Sequence, residues 1–566
     1  MTHRLKSALL ATTIAIGLIG GSVQAQGLTS DYISGSVAAM RGDYRAASKF
    51  FTAALKRDPQ NDFLQQNAML AALSLGENDV ALAHAKNVLS DPLSNSALAY
   101  LLVFVDQVKA DNFDAAAATL GTSQGAFIPL FAGLLQGWTE LGLGKMGAVI
   151  GTLDGITQSP TAQLFGQYHK ALVLAAVGDF GGADKILVGD ERGNLRLTRG
   201  SLIAHAQIMA ELDRKDEALR LLDAAILGGQ DSELSTVRDA IANDTSQYNY
   251  IANARDGVAE VLFTMASLLT TPDDQQTSLL YARLAQDLRP DDAEITLLIS
   301  ELLRDQGQYE LAIENYTTIP TDHPLFLNAE LGRADALVEA GKADAAIEVL
   351  RGLTRSHNST ALVYMSLGDA LRGAERYSAA RDAYDTAIGM IDRPARNHWF
   401  LFYATGITNE RLGNWPRAEM NFRKALELAP NQPLVLNYLG YSMVEKNLNL
   451  PEAQAMIETA LNAQPNNGAI ADSLGWVFYR LGKFEQAVAP MEMAVQLEPD
   501  DPVINDHLGD VYWKVGRKRE AKFQWRRAIS FQPTPTDLER IRDKLEFGLD
   551  VILAQEQKLE TQTGAE

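Results

Sequence analysis

The sequence predicts an all-α fold, a solenoid of stacked helical hairpins closed by a C-terminal capping helix. Three observations predict it. A spaced set of small and aromatic residues returns about every 34 residues along most of the chain. The apolar residues between returns follow helical spacing. Glycine, asparagine and proline fall where paired helices must stop and start. Self-similarity at this period means a stack of similar units rather than one globular core.

The register is sharpest near the C-terminus. Leu508, Gly509, Tyr512, Gly516, Ala521, Trp525, Ala528 and Pro533 are matched one period earlier by Leu474, Gly475, Phe478, Gly482, Ala487, Met491, Ala494 and Pro499. The small position of each first helix falls at Gly35, Met69, Phe104, Gly137, Ala171 and Ala206 in the first half. In the second half it falls at Ser300, Ala334, Gly368, Gly406, Gly440, Gly475 and Gly509. Between the two runs, 257–290 reads as one more unit with a poor match.

Taken in order, the chain opens on a segment without the period. Arg4 and Lys6 form a positive start, Ala8 to Gly20 an apolar core, and Val23-Gln24-Ala25 a small-residue cleavage site. Residues 1–25 therefore read as a secretory signal, with the mature chain starting at Gln26. The other reading is an uncleaved anchor, but the segment falls short of the ~20 apolar residues a spanning helix needs. No later stretch reaches that length, so the mature chain is expected without an integral membrane segment and exported to a bacterial periplasm.

Residues 26–229 hold N-terminal repeats in which the aromatic and proline positions drift. Residues 230–256 are polar and off register, and read as an irregular linker or hinge. Residues 257–533 hold the C-terminal repeats. In 398–430 a first helix is closed by Gly413-Asn414, suited to a positive φ. Pro416 then sits in the first turn of the next helix, where its missing N–H costs little. Ala418, Phe422 and Ala425 form one apolar stripe, and Pro430 stops the helix. Small residues mark where two helices cross closely, with an aromatic filling the space beside them. From 534 onward, Leu538, Ile541 and Leu545 read as a capping helix, which a stack needs to cover its last apolar face. The polar tail from Gln555 is expected without structure.

This pattern resembles the tetratricopeptide repeat over about 27–533, most specifically over 395–533. The resemblance implies paired helices stacked in a right-handed superhelix, with each first helix lining the concave face. Runs such as Asp472-Ser473-Leu474-Gly475-Trp476 and His507-Leu508-Gly509-Asp510 are most similar to those of bacterial envelope members of the family. Some of those look like adaptors for carboxyl-terminal processing proteases, and they are typically lipoproteins with an acylated cysteine. This chain has no cysteine, so that anchor is excluded. The Lys and Asn pattern by which some members clamp a C-terminal carboxylate is replaced here by Asp and Tyr.

Composition narrows the function classes. Without cysteine there is no disulfide, thiolate nucleophile or cysteine–zinc site. A net charge of −21 argues against general nucleic-acid binding, which needs Lys and Arg for the phosphates. It also argues against broad adsorption to anionic lipid. Gly142-Leu143-Gly144-Lys145-Met146-Gly147 matches a dinucleotide fingerprint by letters but falls at an inter-helix turn with no preceding strand. Arg41-Gly42-Asp43 occupies the equivalent turn of another unit. His84, His169, His205, His323, His357, His398 and His507 show no i, i+3 or i, i+4 pairing, so no metal site and no cofactor is expected. No constellation meets the geometry of a catalytic site.

Two surfaces remain. Asp472, Trp476 and Tyr479 fall at i, i+4 and i+7 on a first helix, and Asp506, Asp510 and Trp513 repeat that spacing one unit later. Asn437 and Tyr441 hold the equivalent places one unit earlier, and Tyr403 continues the row. One reading is an aromatic groove edged with carboxylates that captures a basic or amine-bearing segment. The other is that Trp476 and Trp513 pack into the neighbouring repeat. Lys514, Arg517, Lys518, Arg519, Lys522, Arg526 and Arg527, opposed by Glu520, form a basic dock for an acidic partner or lipid headgroups, or a solvated end of the stack. The sequence thus points to a non-enzymatic exported scaffold or adaptor with protein or peptide partners. An assembly factor for an outer-membrane or cell-wall complex, and an enzyme with an unrecognised site, are the rivals. The oligomeric state is left open.

Overall fold

The computed structural model describes residues 23–563, apart from 92–93, 124, 158–161, 190–197, 227–230 and 270. The apolar core of the expected secretory signal lies outside the described residues. Its cleavage site falls in the first turn of the helix Val23–Met40. The described residues contain 31 α-helices, one short 3-10 turn and no strand. They divide into two compact units, Met1–Ala346 and Ile347–Glu566. Each unit has its own large buried apolar cluster.

The hairpins form because small and large residues exchange volume across each helix pair. A β-carbon on Gly509 would lie 2.4 Å from the Trp525 indole, and one on Gly475 the same distance from Met491. Gly368 against Tyr384, Gly406 against Phe422 and Gly35 against Phe51 repeat the arrangement, each closer than 3.0 Å. Where the first-helix residue is large, as at Met69, the matching position is Ala85, and both are buried in one cluster. Between the helices the chain needs a left-handed residue. Gly413, Gly482 and Gly516 supply it with φ of 73°, 72° and 82°. Asp111, Asp213 and Glu375 adopt the same region at sister turns, at a cost a glycine avoids.

In the first unit, hairpins from Val23–Met40 to Lys215–Ile226 follow one another in a row. The segment 230–256, expected to be irregular, holds the helix Ser232–Ala242, started by Asp231, whose carboxylate accepts from the Glu233 and Leu234 amides. After it, 243–253 runs without helix. The next hairpin, Ala254–Leu268 and Gln275–Leu288, does not extend the row. Its first helix packs on Pro129–Gly142, and its second on Ala97–Lys109 and Asp62–Leu75. It is a return hairpin, laid across the first helices of earlier repeats. This explains its poor match to the repeat: its small residue, Gly257, faces the Trp138 indole of another hairpin, 2.1 Å from where a β-carbon would sit.

The return is pinned by polar contacts far apart in sequence. Glu260 is fully buried and accepts from the hydroxyls of Tyr168 (2.7 Å) and Tyr250 (3.0 Å), with Arg289 at 3.6 Å. Burial pushes its carboxyl pKa up against the pull of Arg289. Arg283 donates to the Ser74 carbonyl, and Tyr44 to Gln306.

The second unit is an ordered row. Its last repeats are Pro433–Glu445 with Leu450–Ala463, Gly468–Arg480 with Phe484–Leu497, and Pro502–Lys514 with Lys518–Ser530. Two cap helices, Pro535–Phe547 and Leu549–Thr563, close it. The second contains the polar tail from Gln555, which is therefore helical to Thr563 rather than unstructured. Gly548, at φ 87° and against the Trp513 ring, makes the corner between them.

Candidate partner-binding cleft and basic face

The predicted row of aromatic and acidic residues lies on four successive first helices of the second unit, Trp399–Arg411, Pro433–Glu445, Gly468–Arg480 and Pro502–Lys514, and the structure brings most of it together. The carboxylates do not edge an open groove. Asp472 is buried and accepts from Nδ1 of His507 at 3.0 Å. Burial opposes a charge on His507, but Asp472, aided by Asp506 and Asp510, outweighs it and holds the imidazole pKa above its ordinary value. Asp506 and Asp510 both accept from the Nζ of Lys544, at 2.7 and 2.8 Å. Lys544 comes from the first cap helix and is fully buried. Arg540, one turn earlier, stands 3.7 Å from Asp506 and 3.8 Å from Asp510. Burial and the neighbouring Asp510 push the Asp506 carboxyl pKa up, against the pull of Lys544.

The basic segment that the acidic edge was expected to capture is thus part of the chain itself. The reason is physical: two adjacent buried carboxylates need cations and hydrogen bonds to stay charged. His507, Lys544, Arg540 and Glu445 were missed in the sequence. The available signal was Arg540 and Lys544 at i, i+4, beside the apolar Ile541 and Leu545 of the cap.

The aromatic residues divide. Trp476 stacks on His507 at 3.9 Å and on Tyr479 at 4.6 Å, nearly parallel to both. Its Nε1 donates to Glu445 at 2.6 Å. Trp513 donates to Asp550 of the second cap helix at 2.9 Å and leans on Trp525. Both indoles therefore pack against neighbouring elements. Tyr403 sits one repeat away in a separate cluster with Trp399, Phe400, Phe422 and Tyr438, where burial pushes its pKa up to about 12.

Beside the stack an open cleft of about 730 Å³ remains. Tyr441, Tyr479, Phe484 and Val503 give it apolar surface, and Glu445, Arg480, Arg540 and Glu556 give it polar walls. Tyr441 and Tyr479 are half-buried, with pKa values raised chiefly by burial, so both hydroxyls stay protonated donors. The arrangement offers aromatic contact area with charges of both signs and no nucleophile–base pair.

The predicted basic residues are partly consumed within the chain. Lys514 pairs with Asp550 at 2.7 Å. Arg517 pairs with Glu492 and Glu520 and covers the Tyr512 ring at 3.9 Å. Lys522 donates to the Leu545 carbonyl, and Arg527 to that of Pro499. Lys518, Arg519 and Arg526 stay exposed.

The remaining sequence motifs resolve as structure. Gly142 ends a helix against the Phe113 ring, and Gly144 makes the turn at φ 71°. Asp43 of Arg41-Gly42-Asp43 caps a helix by accepting from the Ala46 amide. Among the described residues no three metal-ligating side chains gather. His169 accepts from the Trp138 indole at 3.0 Å inside the first unit.

The tetratricopeptide repeat family model matches residues 331–396 and 444–502. A TPR repeat-containing protein of Pseudomonas aeruginosa is 26% identical over 190 residues, which are 33% of this chain and 31% of that protein. The chain thus spans about a third of that relative's length. Among solved structures, the Cut9–Hcn1 hetero-tetramer of the APC/C aligns over 92% of this chain and 96% of that chain, at 13% identity and a TM-score of 0.39. A tetratricopeptide repeat protein from Parabacteroides merdae aligns over 45% of this chain and 98% of that chain, at 18% identity and a TM-score of 0.37. The sequence match and the paired-helix rows agree: this chain carries tetratricopeptide repeats, the architecture of protein–protein interaction scaffolds.

Proposed function

We propose that this chain is a non-enzymatic scaffold of the bacterial envelope, exported by its N-terminal segment, that holds a protein partner in the cleft of its second unit. The observation that carries the reading is the cleft itself. It stays open between Tyr441 and Tyr479 of the predicted row on one side and the cap residues Arg540, Ile541 and Glu556 on the other. Tyr441, Tyr479 and Phe484 supply contact area at low entropic cost. Glu445, Arg480 and Glu556 supply polar contacts that fix a peptide's register.

The finer reading is adaptor action, in which one part of the stack docks a partner, such as a processing protease, and another presents a client. An assembly factor for an envelope complex uses the same cleft and differs only in the partner. The resemblance of the Asp472–Trp476 and His507–Asp510 runs to envelope adaptors favours the first.

The test is crosslinked affinity purification of the tagged chain, in parallel with a Tyr441→Ala/Phe484→Ala variant. Both side chains line the cleft, only half-buried, so helicity should persist. A stoichiometric partner recovered with the parent and lost with the variant supports the reading. Recovery of the same proteins from both would end it.

A further inference from the structure

We propose that the outer face of the helix Lys518–Ser530 is a docking face for an anionic phospholipid surface. Ala521, Gln524, Trp525 and Ala528 turn one side of this helix into the core. The opposite side therefore carries Arg519, Phe523 and Arg526, with Lys522 at its edge and Lys518 at the helix start, its Nζ over the Trp513 ring at 4.7 Å. Lys518, Arg519 and Arg526 are exposed and enter no ion pair among the described residues. Phe523 is 58% exposed in their midst.

The nearest acids, Glu520 and Asp550, offset only part of this charge: Asp550 feels Lys518 as well as Lys514, and Glu520 feels Arg519 as well as Arg517. Glu520 points to its flank and pairs with Arg517 at 3.1 Å. Asp550 is held by Lys514 and by the Trp513 indole. The hydrogen bond from Lys522 to the Leu545 carbonyl brings the end of the first cap helix alongside, and there Phe547 is 54% exposed. The result is a cationic helix face around the bare Phe523 ring, with a second bare ring, Phe547, on the adjoining cap helix beside the exposed Glu546.

That chemistry fits a bilayer better than a folded acidic protein. A plane of lipid phosphates needs only cations and rings that enter the headgroup layer. The chain's net charge of −21 does not prevent contact, because charges beyond about 8–10 Å are screened at physiological salt. It orients the approach, since this face is a concentrated basic patch on an acidic molecule. Each exposed cation near an anionic leaflet is expected to raise partitioning roughly fivefold.

The experiment is co-sedimentation of the full chain with vesicles of phosphatidylcholine alone and with phosphatidylglycerol added, at low and high salt. The expected result is binding only to the anionic vesicles, weakened by salt. It should fall more than about a hundredfold in Lys518→Glu/Arg519→Glu/Arg526→Glu. Phe523→Ser should bind more weakly at unchanged salt dependence. If the charge-reversed variant loses helicity, the Gln versions of the same three positions replace it. No binding of the parent chain to phosphatidylglycerol vesicles, binding to polyglutamate in its place, or equal binding by parent and variant would each overturn the proposal.

Discussion

At the scale of single residues, the repeat rests on where a side chain is allowed. Gly475 and Gly509 let Met491 and Trp525 occupy the space a β-carbon would need. Gly475→Ala is expected to destabilise the second unit by about 1–3 kcal/mol, because the intruding methyl meets a packed side chain. Gly147 and Gly151 lie on a helix with nothing within 4 Å of the added carbon. Gly151→Ala, mid-helix, should stabilise by roughly 0.5–1 kcal/mol through helix propensity. Urea unfolding followed by circular dichroism separates the two signs. The glycines of the motif were legible because a fixed period exposes them. Gly257 was not, since its partner Trp138 is in a distant repeat and no spacing rule connects them.

His169 makes a pH prediction at the same scale. Burial lowers its pKa to about 3, and its Nδ1 accepts from the Trp138 indole, so the folded chain holds it neutral. The unfolded chain protonates it near pH 6.5. A histidine with a depressed folded pKa contributes full stability above pH 6.5 and loses it as the pH falls. The loss should reach about 2 kcal/mol by pH 5. His169→Phe should therefore show a flatter stability between pH 7 and 5, even though it starts lower for want of the indole's acceptor. Equal pH slopes for parent and variant would show that His169 already titrates in the folded state.

At the scale of elements, the cap decides what the acidic row can do. Lys544 is the shared partner of Asp506 and Asp510, so Lys544→Ala leaves two buried carboxylates facing each other. The expected cost is about 3–5 kcal/mol, felt first as faster hydrogen exchange in the cap helices and in Pro502–Lys514. Exchange that rises evenly over the chain would contradict a local lock. From the sequence, the capping helix was legible through Leu538, Ile541 and Leu545, since apolar spacing is a local signal. The Lys544 lock was not, because an ion pair between residues 34 and 38 positions apart leaves no periodic trace. The same limit hid the return hairpin. Its helices have ordinary helical patterns, and only the tertiary packing shows that they cover earlier repeats instead of extending the row.

At the scale of the whole molecule, one repeat grammar is put to two uses. In the first unit the first-helix face is covered by the chain's own return hairpin, with buried polar pairs such as Tyr168–Glu260 fixing the closure. In the second unit the cap seals the acidic end and leaves the aromatic cleft beside it open. The fold class followed from the period, the helical apolar spacing and the turn residues, whereas the candidate site was legible only as a set of residues on one face. Which of them are buried depends on Lys544 and Arg540 of the cap, and on His507, which reaches from Pro502–Lys514 to Asp472 and Trp476 of the preceding repeat. The central claim, that this open cleft is where a protein partner sits, is tested most directly by placing a photo-crosslinking amino acid at Phe484 in the full chain and irradiating living cells. The account predicts one dominant crosslinked protein, absent when the same probe is placed at the exposed Met420 on another helix. The same crosslinks from both positions, or none from Phe484, would contradict it.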